Sequence, residues 1–215
     1  MVNILMSRGL INKADFYIYF KEFIKPEMKV CVIPWAFDGR EDYSIYRKGG
    51  YYYERMIFQF LPYQIDEDKI TFLDYYLDDQ KTCHEKVKNA DVIYFTGGLP
   101  DKLYERLAEF NLLDILTKTP KVLVGSSAGA VIQFKDYHLS PDRDYKKFGM
   151  YKGLDILHDF GIEVHYKAKF KQKRSLKKVN QLIARPYYTI PDDSAVIVYS
   201  GKIILIGRAK RYNFK

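Results

Sequence analysis

Five short apolar runs, each separated from the next by a longer mixed segment, restrict this chain more than any other feature. They are Val2–Met6, Lys29–Pro34, Ile70–Leu73, Asp91–Thr96 and Lys121–Gly125. Most are rich in β-branched or aromatic residues, and most end in Gly, Pro or Ser, as strands buried on both faces do. Helix-length stretches lie between them. Phe16, Tyr19, Phe20 and Phe23 recur at spacings of three and four, and so do Leu103, Leu107, Phe110 and Leu113 within 101–116. Parallel neighbouring strands need a crossover connection, and a helix is the usual one. The pattern predicts an α/β chain with a three-layer arrangement, a mostly parallel sheet flanked by helices.

The last third changes character. Gly161-Ile162-Glu163-Val164-His165-Tyr166 alternates like a strand, and a basic stretch follows it from Lys167 to Lys178. Ala195–Tyr199, a Ser200-Gly201 turn and Lys202–Gly207 read as a C-terminal β-hairpin, which at the end of an α/β chain adds antiparallel strands to a sheet edge. With 215 residues, no internal repeat and no linker-like composition, the expectation is one domain over 1–215.

Directly after the fifth run stands Gly125-Ser126-Ser127-Ala128-Gly129-Ala130, which fits G-x-S-x-G with Ser127 in the nucleophile position. A strand that turns sharply into a helix strains the backbone at that position, and only small neighbours fit around it. Such a turn exposes the serine hydroxyl at the carboxyl edge of the sheet. It also aims the Ala128 amide at a developing oxyanion. The plainer readings of Ser127 are a helix N-cap or a phosphate-cradling turn. A second loop, Thr96-Gly97-Gly98-Leu99-Pro100, ends the fourth run. Its glycines let the main chain approach a substrate closely and free an amide to donate, although an ordinary βα turn has the same composition.

A serine nucleophile needs a base, and the chain has four histidines. His165 follows the serine in sequence and ends the alternating strand. His138, on a predicted loop close in sequence to Ser127, competes with it. His84 and His158 fall in predicted helices. The two cysteines, Cys31 and Cys83, form neither a disulfide framework nor a metal-binding spacing, and nothing in the sequence demands a metal, a nucleotide or another cofactor.

Together the Gly97-Gly98 loop, the elbow 125–130 and Val164-His165-Tyr166 resemble peptidase family S51, the group of peptidase E (α-aspartyl dipeptidase) and cyanophycinase. Val32-Ile33-Pro34 and Ile190-Pro191-Asp192-Asp193-Ser194-Ala195-Val196 extend the similarity over nearly the whole chain. The resemblance implies a class I glutamine amidotransferase-like fold and cytoplasmic hydrolysis of the peptide bond after an N-terminal aspartate. It makes Ser127 the nucleophile, His165 the base, and Gly98 and Ala128 the oxyanion-hole amides. An acid in the loop after the nucleophile helix falls on Asp142, with Asp136 and Asp144 close by. Where aspartyl dipeptidases carry a polar residue after the double glycine, this chain has Leu99-Pro100, a departure that bears on specificity rather than on hydrolysis.

Net charge is +8, from 35 Lys and Arg against 27 Asp and Glu. Such a surplus suits an acidic small substrate, and Arg174 is the candidate to hold it because a guanidinium fork pairs well with a carboxylate. Gly97 is expected to line the substrate as well. The same surplus, with 20 tyrosines, also fits nucleic acid, but the tyrosines are spread along the chain without a recognisable motif. No run approaches the length of about 18 apolar residues that spans a bilayer, and the N-terminus has no signal-peptide pattern. The expectation is a cytoplasmic protein that binds a small peptide, without nucleic acid or membrane. The alternative is a catalytically silent binding or regulatory protein on the same fold. A glutamine amidotransferase needs cysteine at the elbow, where Ser127 stands.

Overall fold

The structure, a computed structural model, describes residues 1–40, 42–118 and 121–214. Its strands are β1 (Val2–Met6), β2 (Val30–Ile33), β3 (Ile70–Phe72), β4 (Val92–Phe95), β5 (Val122–Ser126), β6 (Asp136–Leu139), β7 (Gly149–Lys152), β8 (Gly161–Val164), β9 (Tyr187–Ile190), β10 (Ala195–Tyr199), β11 (Lys202–Ile206) and β12 (Lys210–Arg211). Its helices are α1 (Ala14–Phe20), α2 (Tyr51–Phe60), α3 (Gln80–Asn89), α4 (Pro100–Glu109), α5 (Leu113–Lys118), α6 (Ala128–Val131) and α7 (Phe170–Leu182).

A seven-stranded sheet runs in the order β11-β10-β1-β5-β4-β2-β3. β1 to β5 are mutually parallel, whereas β10 joins β1, and β11 joins β10, antiparallel. The C-terminal hairpin thus extends one edge of a parallel sheet. Period-two alternation sends successive side chains to opposite faces. Ile4, Val30, Val32, Tyr94 and Val124 pack with Phe16 and Phe20 of α1 and Met56 and Phe60 of α2. Cys31, Ile33, Ile93, Phe95 and Leu123 pack on the other side with Val87 of α3 and Leu103 and Leu107 of α4. Both faces are covered, so the parallel strands are apolar throughout.

A small sheet of order β12-β9-β8 and the pair β6-β7 complete the chain. β8 and β9 are parallel with Val164 opposite Ile190, which brings residues 165 and 191–192 to the same end.

Four local expectations need correction. The helix expected over 101–116 breaks into α4 and α5 because Asn111 takes a positive φ of 53°, and Leu112 N–H closes the turn on the Leu107 carbonyl. His138 lies in β6, not a loop, and His158 lies outside any helix. Tyr19, grouped by spacing with Phe16, Phe20 and Phe23, is exposed: the inner face of α1 carries Phe16 and Phe20, and the helix ends before Phe23.

Candidate active site

β5 delivers Ser127 to the carboxyl edge of the large sheet, and the turn into α6 is as sharp as the small residues around it allow. Ser127 has φ 51° and ψ −108°, a conformation that costs a non-glycine residue about 1–3 kcal/mol and that surrounding bonds must hold. Its amide donates to the Met6 carbonyl at 2.8 Å, and its carbonyl accepts from Ala130 and Val131 at 3.0 and 3.1 Å. Gly129 is required for the crossing: a Cβ there would lie 2.2 Å from the Phe95 carbonyl oxygen of the neighbouring strand.

Ser127 Oγ lies 3.0 Å from His165 Nε2, and His165 Nδ1 lies 2.6 Å from Asp192 Oδ1. His165 follows β8 with φ 52°, which turns the imidazole off the strand line toward the serine. Its main chain is tied at both ends. The amide donates to Ser7 Oγ at 2.8 Å, and the carbonyl accepts from Gln172 Nε2 at 3.0 Å. Asp192 follows β9 and carries further cations, Arg8 at 3.3 Å and Lys167 at 3.4 Å. Partial burial pushes the Asp192 carboxyl up, but the His165 bond and charge, with Arg8 and Lys167, outweigh it and hold the group below the usual carboxylate range.

Gly98 and Ala128 flank the serine, and neither amide donates a hydrogen bond to a described residue. Gly98 sits at φ 136°, a region open to glycine, where a Cβ would stand 2.1 Å from the Ala36 carbonyl oxygen. Leu99 N–H bonds that same carbonyl at 2.7 Å and fixes the loop. Beyond it, Arg106 donates to the Trp35 and Phe37 carbonyls at 2.6 Å each and lies 3.6 Å over the Phe37 ring. The loop that carries Ala36 is therefore clamped from below.

The acid expected at Asp142 is elsewhere. Asp142 accepts from the Asp144 and Tyr145 amides, closing its own turn, and makes no bond to His165. Asp136 pairs with Arg185 at 2.9 Å, and Asp144 does not reach the histidine either. The carboxylate that does bond His165 is that of Asp192, because the parallel β8–β9 pairing sets its loop beside the imidazole. The competing base His138 has its Nε2 on the buried Glu163 carboxylate at 2.6 Å. Arg174 is exposed on α7 and lines neither cavity at Ser127. Lys167, Lys169 and Lys171 from the same basic stretch face the larger one, because the stretch turns into helix at Phe170 and directs Arg174 away.

Two cavities meet at the serine. The larger, about 810 Å³, lies on the His165 side. The smaller, about 370 Å³, reaches Gly97 and runs between α2 and the ends of β2 and β4. Arg8, Gly98 and Ser127 line both. Among the described residues no group of three His, Cys, Asp or Glu side chains is arranged to hold a metal ion, and no helix is long and apolar enough to cross a membrane.

The profile of peptidase family S51 matches residues 4–206, which span β1 through β11. The chain belongs to peptidase family S51. No curated protein matches this S51 peptidase. Among solved structures it is similar to a candidate peptidase E protein from Listeria monocytogenes EGD-e, with 21% identity over 99% of this chain and 98% of the other and a TM-score of 0.67. It is also similar to a peptidase from an acI-B1 Actinobacterium, with 19% identity over 98% and 93% and a TM-score of 0.72. At these identities the likeness is one of fold: a large, mostly parallel sheet with helices on both faces.

Proposed function

We propose that this S51 peptidase is a serine-type enzyme that cleaves small peptides, with dipeptides carrying N-terminal Asp as its starting substrates. The observation that carries the reading is the continuous line from Ser127 Oγ through the His165 imidazole to Asp192, with two undonated amides beside the serine. Ser127 Oγ attacks the scissile carbonyl carbon and its proton passes to His165 Nε2. Nδ1–H stays on Asp192, which fixes the tautomer and stabilises the imidazolium. Negative charge collects on the carbonyl oxygen, where the Gly98 and Ala128 amides receive it. The C–N bond then breaks as His165 gives its proton to the leaving amine. Water attacks the resulting ester with the proton again passing to Nε2, and the acid product leaves as Ser127 regains it.

The larger cavity supports a short, anionic leaving residue. Its lining is mixed in charge, with Asp142, Asp144 and Glu163 beside Arg143, Lys167, Lys169 and Lys171, and the three lysines, on the segment that follows His165, are the groups available to a free terminal carboxylate. Action on soluble peptides in the cytoplasm belongs to the same proposal. Hydrolysis of an Asp-X, Glu-X, Asn-X and Phe-X dipeptide panel by wild type and Ser127→Ala tests it, alongside labelling by a fluorophosphonate. Turnover of at least one dipeptide that disappears in the variant, with label on Ser127, is expected. Turnover that survives Ser127→Ala, or an unlabelled and inactive wild type, overturns it and leaves the silent binding protein as the better account.

A further inference from the structure

The smaller cavity at Ser127 has a composition that the mechanism above does not use. His165 lines only the larger cavity. Because its proton goes to the leaving nitrogen, the leaving residue lies on that side, and the acyl residue lies on the opposite side of Ser127. That is where the smaller cavity opens, past Gly97 and Gly98.

Its walls are the rings of Phe37, Tyr46, Tyr52 and Phe72, and its polar groups include Arg55, Gln59 and Tyr94. No carboxylate lines it. Arg55, an exposed residue of α2 at the cavity rim, has no acidic partner among the described residues; its one hydrogen bond there is a long contact with the Tyr51 hydroxyl at 3.4 Å. Its charge is felt at the Tyr94 phenol, which burial pushes up to about 12 against the opposing influences of Ser126, Arg55 and Gln59. Gln59 is buried, and its amide nitrogen has only the Met56 sulfur, at 3.8 Å. The cavity therefore offers a cation and an amide donor with no anion to meet them. An apolar side chain there would leave the buried Gln59 amide unpaired and gain nothing from the guanidinium, whereas a carboxylate can meet both. Aromatic walls lower the local dielectric and strengthen that pairing.

We propose that this cavity is the acyl-side subsite of the enzyme and that Arg55 is the residue that makes it select a carboxylate side chain. The inference rests on the serine-peptidase reading. It replaces Arg174, which is off both cavities, with a residue on a different element.

The test compares kcat/KM for Asp-Leu and Glu-Leu with their amide counterparts Asn-Leu and Gln-Leu in wild type, Arg55→Leu, Arg55→Lys and the off-site control Arg174→Gln. Wild type should prefer an acidic residue over its amide. Arg55→Leu should lower the acidic substrate by about 10–100-fold, the range of a charge-assisted hydrogen bond, and leave its amide within about 3-fold. Arg55→Lys should recover part of the preference, and Arg174→Gln should keep it. An acid-to-amide ratio that is near unity in wild type, or unchanged in Arg55→Leu, overturns the proposal. Equal loss on both substrates also overturns it, as that marks a structural role. A second readout needs no turnover: a phosphonate carrying a carboxylate side chain should label Ser127 faster than its amide analogue in wild type but not in Arg55→Leu. Labelling that ignores both the side chain and Arg55 sinks the subsite assignment alone. Failure of every phosphonate to label Ser127 sinks the serine reading and this inference with it.

Discussion

Ser7 holds His165 by its main chain. Its hydroxyl accepts from the His165 amide at 2.8 Å and donates to the Ile190 carbonyl at 2.5 Å, so one buried side chain at the end of β1 ties together the ends of β8 and β9. Ser7→Ala should strand the His165 amide, while the Ile190 carbonyl keeps the Tyr166 amide at 3.1 Å, and let the imidazole drift. The expected cost is about 1–3 kcal/mol of stability, with kcat falling several-fold and KM nearly constant. Denaturant melts and steady-state kinetics check both; a kcat equal to wild type would remove the positioning role.

Asp192 and Asp142 make opposite predictions. Asp192→Asn keeps the shape but lets His165 adopt the wrong tautomer, and kcat should fall by about 10²–10⁴-fold. Asp142→Asn alters a turn and one cavity wall, with an expected change within about 3-fold. Kinetics of the two variants on the best dipeptide separate the assignments directly, and a larger loss for Asp142→Asn would return the role to the loop.

The Asp192 carboxyl is held below the ordinary carboxylate range, chiefly against burial and through His165. A depressed folded-state pKa adds stability that is complete above the unfolded value and is lost as pH falls through the folded one. The melting-temperature gap between wild type and Asp192→Asn should therefore shrink as pH falls below about 4. Thermal melts across that range check the sign. A gap that stays unchanged from pH 5 to about 3 would contradict the pairing.

Gly98→Ala tests the oxyanion pocket. The added methyl meets the Ala36 carbonyl and the residue must keep a φ of 136°, so the loop has to move. Losing one oxyanion donor elsewhere costs about 10²–10³-fold in kcat, and a loss of that size is expected here. Fluorophosphonate labelling should slow in parallel, since it needs the same donor. Unaltered labelling would place the oxyanion somewhere other than the Gly98 amide.

Much of the architecture was legible because burial on both faces leaves a continuous apolar signature, and each of the five runs holds a parallel strand of the large sheet. The elbow was legible for a steric reason: Gly125, Ala128 and Gly129 are small where strand and helix cross, and that requirement is written locally. Asp192 was not. An orienting carboxylate needs only to reach Nδ1, and which loop does so depends on the Val164–Ile190 register, which sequence periodicity leaves open. Had the β8–β9 pairing been inferred, the segment Ile190-Pro191-Asp192 would have stood next to His165. Arg174 lies off both cavities for a related reason: in a run of basic residues, helix phase decides which side chain faces the site. The break at Asn111 shows how one left-handed residue divides a continuous leucine pattern.

The serine and the two amides ride on the seven-stranded sheet, while the histidine and its carboxylate leave the small sheet of β8 and β9. The reacting groups are thus split between two sheets, which meet at the site through the 3.0 Å Ser127–His165 contact and the Ser7 bonds, and below it through the packing of Leu5 and Val196 on Ile162 and Ile190. Base and acid travel as one unit, so a small tilt of that unit lengthens the reach to Ser127 without altering the imidazole's own partner. Substitutions in the hydrophobic seam between the sheets would tune turnover like a hinge screw, changing rate while the pH profile stays where it was.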